Sequence, residues 1–328
     1  MCCAFASGIL HRSIHPDVPQ PAGRQELTSK GDLGCLQEAK HRALLPLTVS
    51  SLSEALSGGG PGNYGVVTSV TVRAYPDATT AGATLFFNTT GMPTDILYSA
   101  LERFYSVLPS WTDARLHGGF AFSSSFFSIA ITAYNQTSST VEFNMTPFLH
   151  MLDNPNITYS VQFVDQPRYY DLWMSKDSGA VGTHWGSSGR LIPRATLQNP
   201  DSLADLMRVI QFQVEDGAIV GGTVLNGTSR TGIPNAVNPA WRQATVLALT
   251  ITDWDFSGTS EAWNRMLENQ EKATEVWDPM WDAVTPGSGN YANEADVAKP
   301  NWKKAFYGSH YDRLLEIKRR WDPKSVFY

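Results

Sequence analysis

The sequence predicts an α+β fold, an antiparallel sheet backed by helices. Three observations lead there. Runs rich in β-branched and aromatic residues come in clusters, as strand pairs and as strand–helix–strand groups, without the strict strand–helix alternation of a parallel sheet. Between them lie apolar stripes at three- and four-residue spacing, as at Ile96, Leu97, Ala100, Leu101, Phe104 and Leu108. Gly, Pro and Asn punctuate the rest. At 328 residues, 42% hydrophobic and 17% charged, the chain is long enough to bury one large or two medium cores.

Met1 to Ser50 shows no sustained period, and His11, His15 and His41 are scattered among Pro, Gly and charge. This stretch reads as an irregular leader, with order beginning near Ser53. Val66 to Ala74 alternates and reads as a strand. Thr84 to Phe87 reads as another. Pro93 suits the first turn of the helix that carries the Ile96–Leu108 stripe. Gly119 to Tyr134 has strand density. Glu142 to Leu152 reads as a short helix and Ile157 to Val164 as a strand. Pro167 to Ser175 suits a helix, followed by a glycine-rich loop at Gly179 to Gly189. Asp201 or Ser202 can cap a helix reaching about Glu215. Ala218 to Leu225 and Thr245 to Trp254 read as strands, with a loop of Gly, Pro and Asn at Gly227 to Pro239. Glu261 to Val284 reads as one long helix that turns Trp263, Met266, Leu267, Val276 and Trp277 inward. Asn301 to Trp321 closes the chain as a helix, ended by Asp322–Pro323.

Net charge is −6 with acids and bases interspersed, so no basic stripe points to nucleic acid. No apolar run approaches the ~20 residues that span a bilayer. Cys2, Cys3 and Cys35 form neither a disulfide framework nor a metal spacing. Asn-x-Thr sequons at Asn88, Asn135, Asn144, Asn156 and Asn226 lean toward a secreted chain. The opening MCCAFASGILHR lacks a preceding basic residue and a long apolar stretch, so it does not read as a signal peptide.

Three constellations carry chemistry. Gly58, Gly59, Gly60, Pro61, Gly62, Asn63, Tyr64 and Gly65 form a loop whose glycines admit positive φ and close approach of a ligand, and whose free N–H groups can hold an anion. The same run also serves as a plain turn. Tyr291, Asn293, Glu294 and Asp296 join a phenol, an amide and two carboxylates; the alternative is a polar loop before a helix. Asn238-Pro-Ala-Trp-Arg242 offers Trp241 as a flat wall and Arg242 as a cation, or a packed strand-entry turn. His184–Trp185 lies where a loop could line a pocket. The Lys and Arg residues of the last helix read as a solvated face.

SEALSGGGPGNYGVVTSVTVRAYP and YANEADVAKPNWKKAFYGSHYDRLLEIKRRWDPKSVFY resemble two stretches of the berberine bridge enzyme-like FAD-linked oxidoreductases, fungal type. The resemblance covers about Ser53 to Tyr328. It implies a substrate-binding α+β domain at 78–286, the end of a PCMH-type FAD-binding domain at 53–77, and a segment at 287–328 that returns to that domain; 1–52 is unmatched. It implies FAD as cofactor. Gly58, Gly59, Gly60, Gly62, Asn63, Tyr64, Gly65, Tyr291 and Asn293 are the implied flavin contacts, and Trp241 and Arg242 the implied substrate contacts. Tyr291 is also a candidate proton relay. A small organic substrate is oxidised, as in secondary metabolism, and O2 takes the electrons, with H2O2 released.

The chain departs from the family in three places. Ser57 stands where the family has arginine, Glu54 where it has an aromatic residue, and Pro61 interrupts the glycines. The family's His and Cys for covalent flavin attachment have no counterpart here. Three readings follow: a truncated FAD-linked oxidase, a flavin-independent isomerase or cyclase acting on a hydrophobic metabolite, and a non-catalytic binding protein. Flavin colour, turnover by colourless protein, and a stable complex without turnover distinguish them. A cut core would expose an apolar face, inviting self-association or a partner. Family and sequons together imply an extracellular protein.

Overall fold

The computed structural model describes residues 46–60, 62–67, 75–175, 184–228, 235–253, 255 and 257–327. The first described element is helix α1, Pro46–Leu56, which begins inside the stretch expected to be irregular. Leu52 and Ala55 are buried against the C-terminal helix, which explains why it forms without a strong period of its own. The strand expected at Val66 to Ala74 lies mostly outside the described residues, as do the three cysteines, His11, His15 and His41.

Seven strands follow: β1 Thr80–Asn88, β2 His117–Phe122, β3 Phe126–Tyr134, β4 Tyr159–Gln166, β5 His184–Pro193, β6 Ile219–Val224 and β7 Ala244–Asp253. They form one sheet in the order β4-β1-β3-β2-β6-β7-β5, and every pair is antiparallel. The helices are α2 Thr94–Asp113, α3 Ser138–Leu149, α4 Tyr169–Ser175, α5 Arg194–Gln198, α6 Pro200–Glu215, α7 Ser260–Lys272, α8 Asp278–Val284, α9 Trp302–Tyr307 and α10 Tyr311–Trp321.

Period two sorts each strand onto two faces, and the register makes each face continuous. One row runs Tyr159, Phe87, Phe127, Phe122, Val220, Thr250 across six strands. This face packs on α2, α3 and α6. Phe104 of α2 sits edge-on to Phe120 and Phe127, at 5.1 Å from each, and Trp111 donates from its indole to the Asn144 carbonyl at 3.1 Å. The opposite face carries the rows Gln162, Thr84, Ala130, Gly119, Thr223, Leu247, Leu191 and Ser160, Phe86, Ser128, Ala121, Gly221, Leu249, Gly189. Its middle is a floor of Gly, Ala, Ser and Thr. Thr84, Phe86, Gly119 and Thr223 are exposed.

Four features differ from expectation. The stretch at Gly179 to Gly189 was expected to be loop, but strand β5 starts at His184. The small residues there are demanded by packing, since a Cβ on Gly189 would stand 2.9 Å from the Glu294 carbonyl oxygen. The long helix is continuous through a π turn at Ala273–Trp277, yet Trp263 and Leu267 are exposed and, within α7, Ala262 alone is buried. The closing helix breaks at Gly308, whose φ is +58°; a Cβ there would lie 2.9 Å from Pro239 and 3.0 Å from Asn238. The N-cap of α6 is Asn199, just before the expected Asp201 or Ser202; its side chain accepts from the Ser202 amide.

Candidate active site

The C-terminal segment is fastened along β5 before it presents its polar residues. Leu191 N–H donates to the Gly289 carbonyl at 2.9 Å, and Asn290 N–H to that of Ala305 at 2.8 Å. Behind this joint lies a buried ionic network on the helix side of the sheet. Lys299, 2% exposed, donates to Asp278 at 2.9 Å and Asp282 at 3.2 Å. Ser188 donates to Asp278 as well. Arg190 pairs with Asp282 at 2.7 Å and donates to Thr285 and to the Asn290 side-chain oxygen. Burial raises the Asp278 carboxyl above its ordinary range, against the pull of Lys299 and Ser188. Asp296 is held from the other side by Gln270 at 2.5 Å and Thr274 at 2.8 Å. This carboxylate of the YANEAD stretch is therefore structural.

Between these anchors, Tyr291 is half-buried and its ring meets Trp241 edge-on at 5.5 Å. Asn293, exposed, donates from Nδ2 to the Tyr291 hydroxyl oxygen at 2.8 Å. The phenolic proton is thus left free to donate outward. Burial raises the Tyr291 pKa, partly offset by the Asn293 bond, so the group stays a neutral phenol near neutral pH. Trp241 packs with Leu191 and Leu247, and Leu249 and Tyr291 join the cluster. Those leucines belong to the open-face rows. The Trp241–Tyr291 pair therefore stands at the β5–β7 margin of the open face.

The glycine loop behaves differently. A Cβ on Gly58 (φ +132°) would stand 2.2 Å from the Val237 nitrogen, and one on Gly59 2.6 Å from the Ala55 carbonyl oxygen. On Gly60 (φ +98°) it would meet the Asn63 amide at 2.7 Å. Gly58 and Gly59 are required by the chain's own packing, and Gly60 by its positive φ. Gly62 and Gly65 have nothing within 4 Å of that position and face open space. Tyr64 is buried with Leu52, Ala55, Ala236, Leu314 and Ile317, and burial raises its hydroxyl to about 12. Asn63 donates to the Gly59 carbonyl, and its own carbonyl accepts from Lys318 at 2.7 Å.

Tyr64 and Asn293 do not touch. They are linked through Gly58 against Val237, then Asn238, Trp241 and Tyr291. Asn238 is the knot: its side-chain Oδ1 accepts from Ala240 N–H at 3.0 Å and its Nδ2 donates to the Ala305 carbonyl at 2.7 Å. Gly289 and Gly308 both press on it. The signal for it was in the sequence, an Asn before Pro that caps its own turn. Arg242, expected at the substrate, is directed into the loop, donating to the Gly227 carbonyl at 3.1 Å and Asn235 at 3.0 Å. His184 and Trp185 open β5; their side chains lie outside what is described. An exposed amide on Asn293 and a neutral phenol on Tyr291 are groups that suit the polar edge of a planar ring such as a flavin, and Gly62 and Gly65 leave open backbone in the glycine loop.

Comparison with known proteins agrees with the geometry. The family model "Berberine and berberine like" matches residues 290–328. The chain is 34% identical over 308 residues to the FAD-linked oxidoreductase ZEB1 of Gibberella zeae, covering 92% of this chain and 52% of that one. It is 33% identical over 302 residues to the VAO-type flavoprotein oxidase VAO615 of Thermothelomyces thermophilus, covering 89% and 51%. Among solved structures, the VAO-type flavoprotein MtVAO615 from Myceliophthora thermophila C1 superposes with a TM-score of 0.75 at 29% identity, over 85% of this chain and 52% of that one. Fold and site therefore define a VAO-type flavoprotein architecture. The chain belongs to the berberine bridge enzyme-like FAD-linked oxidoreductases. It spans about half the length of the curated relatives it matches. No helix among the described residues is long and apolar enough to cross a membrane.

Proposed function

We propose that this chain forms the substrate side of an FAD-linked oxidase acting on a small organic molecule. The observation that carries the reading is the Trp241–Tyr291–Asn293 constellation at the margin of the open face, with the Gly/Ala/Ser/Thr floor beside it. FAD, when bound, supplies the acceptor for a hydride and passes the electrons to O2. The protein does the rest. The small-residue floor lets a flat substrate lie close to the sheet. The Trp241 ring walls its end and excludes water. Asn293 and the open backbone at Gly62 and Gly65 would hold the cofactor. Tyr291 gives a hydrogen bond from its free phenolic proton, and its elevated pKa suits a group that orients a substrate oxygen and relays a proton without resting as phenolate. In this reading 53–77 and 287–328 line the cofactor and 78–286 the substrate. The sequons support an extracellular setting.

The test adds FAD to the purified chain and follows flavin fluorescence, then offers a panel of alcohols and amines while H2O2 is measured. Quenching on binding and substrate-dependent H2O2 support the reading. Tyr291→Phe should keep the quenching and lose most turnover. An unquenched flavin overturns the claim that these residues hold the ring.

A further inference from the structure

The five sequons play no part in the oxidation, and the fold treats them unequally. Asn88, Asn135, Asn156 and Asn226 are exposed, while Asn144 is half-buried in the middle of α3. The four exposed ones stand at or just beyond strand ends. Asn88 closes β1 and Asn156 precedes β4; Phe87 lies opposite Tyr159, so both belong to one end of the sheet. Asn135 follows β3, where Thr80 faces Tyr134, and Asn226 follows β6, where Gly118 faces Val224. With His117 opposite Thr132, these two belong to the other end. Asn88 closes the open-face row of β1, in step with Thr84 and Phe86, while Asn135, Asn156 and Asn226 stand outside the strands; none lies in the glycine loop or the segment from 287 on.

Chemistry separates the fifth. In a sequon the Thr hydroxyl can fold back onto the Asn side chain in an Asx-type turn. Asn226 is already in that form: Thr228 donates to its Oδ1 from N at 3.1 Å and from Oγ1 at 2.6 Å. Asn88 accepts from Thr90 N–H at 2.7 Å in the same turn. Asn144 instead donates from Nδ2 to the Thr140 carbonyl at 2.8 Å, and its backbone oxygen receives the buried Trp111 indole. Pro147 follows its Thr146, which restricts the Thr backbone even in the nascent chain.

We infer that Asn88, Asn135, Asn156 and Asn226 are N-glycan acceptors and that Asn144 is not. The donor is a lipid-diphosphate-linked oligosaccharide. The bond from the Asn nitrogen to the sugar's anomeric carbon forms as the bond from that carbon to the diphosphate breaks. The amide gives up one proton, and the lipid diphosphate leaves with the electron pair. Placed two at each end of the sheet, the glycans stand around the open face, and the glycine loop and the C-terminal segment carry no sequon.

The experiment secretes the full chain from yeast behind a host leader. The glycans are removed enzymatically in 18O-labelled water, and peptides are mapped for Asn converted to labelled Asp. Label on at least three of the four sites and none on Asn144 is the expected result. Label on two or fewer, or any label on Asn144, overturns the assignment. If the chain is retained in the cell, translation into microsomes reads the same four sites as stepwise gel shifts. The quadruple Asn→Gln variant should then give one unshifted band and Asn144→Gln an unchanged ladder. A shifted quadruple variant overturns the assignment there.

Discussion

The two faces of the seven-stranded sheet differ in kind. The helix-backed face is filled by large side chains, with Phe87, Phe104, Phe122, Phe127 and Phe148 all below 2% exposure. The opposite face carries Thr84, Ala130, Gly119, Ala121 and Gly221 along the same strands and in the same register. One strand set thus specifies a jigsaw core on one side and a smooth, accessible floor on the other. Stability should depend on the first and function on the second.

The largest effect should come from the buried network that fastens the C-terminal segment to the helix-backed side. Lys299→Met leaves Asp278 without its cation in a site 2% exposed, so unfolding in urea should show a loss of about 3–5 kcal/mol. Phe104→Ala should cost about as much, ~3–5 kcal/mol, by opening a cavity among four aromatic rings. If either variant melts like the parent, the division between the faces fails. The glycine loop gives a sharper test within one motif. Gly62→Ala has room for its Cβ and should cost about 1–2 kcal/mol through its positive φ alone. Gly58→Ala has both strain and a backbone collision, so its loss should be clearly larger. Equal losses would show that the packing at Gly58 relaxes freely.

Smaller still, Thr84→Ala on the exposed floor should change stability by less than about 0.5 kcal/mol. Its place on the open face makes substrate affinity the quantity to measure. A stability loss comparable to that of Phe104→Ala would mean that the floor is covered by packing after all.

What the sequence revealed follows the same division. Helices with a packed stripe, such as α2 and α6, were readable because burial imposes their period. Strand β7 was readable because it is buried on both sides and rich in β-branched residues. Strand β5 was not. Its Gly-Ser-Ser-Gly run looks like loop, and the need for small residues comes from Glu294 and Asp278, about a hundred residues away. Trp263 and Leu267 misled in the opposite sense, since helical spacing alone cannot tell an exposed apolar stripe from a buried one. Tyr291, Asn293 and Trp241, which the fold brings together, were readable as candidates because they lie in short recognisable stretches. Lys299, Arg190 and Asn238 act through contacts that close only in three dimensions. Tyr64 looked like a ligand contact and is a core residue.

The smallest effect is the dependence of stability on pH, and it separates two carboxylates. Asp278 has a raised pKa in the folded protein, so the native state binds its proton more tightly than the unfolded chain. Its contribution to stability therefore grows as pH falls through that raised value, and the charged form is the costly one. Asp322 is the reverse. Lys318 and the N–H groups of Phe327 and Val326 hold it down to about 2. Its contribution is complete above the ordinary carboxylate value and is lost as pH falls from about 4 toward about 2. The melting temperature should hold or rise slightly on mild acidification and fall slightly below pH ~4. Asp278→Asn should flatten the first limb only, and Asp322→Asn the second only. If Asp278→Asn left the mild-acid limb intact, some group other than this buried carboxyl would be responsible for it.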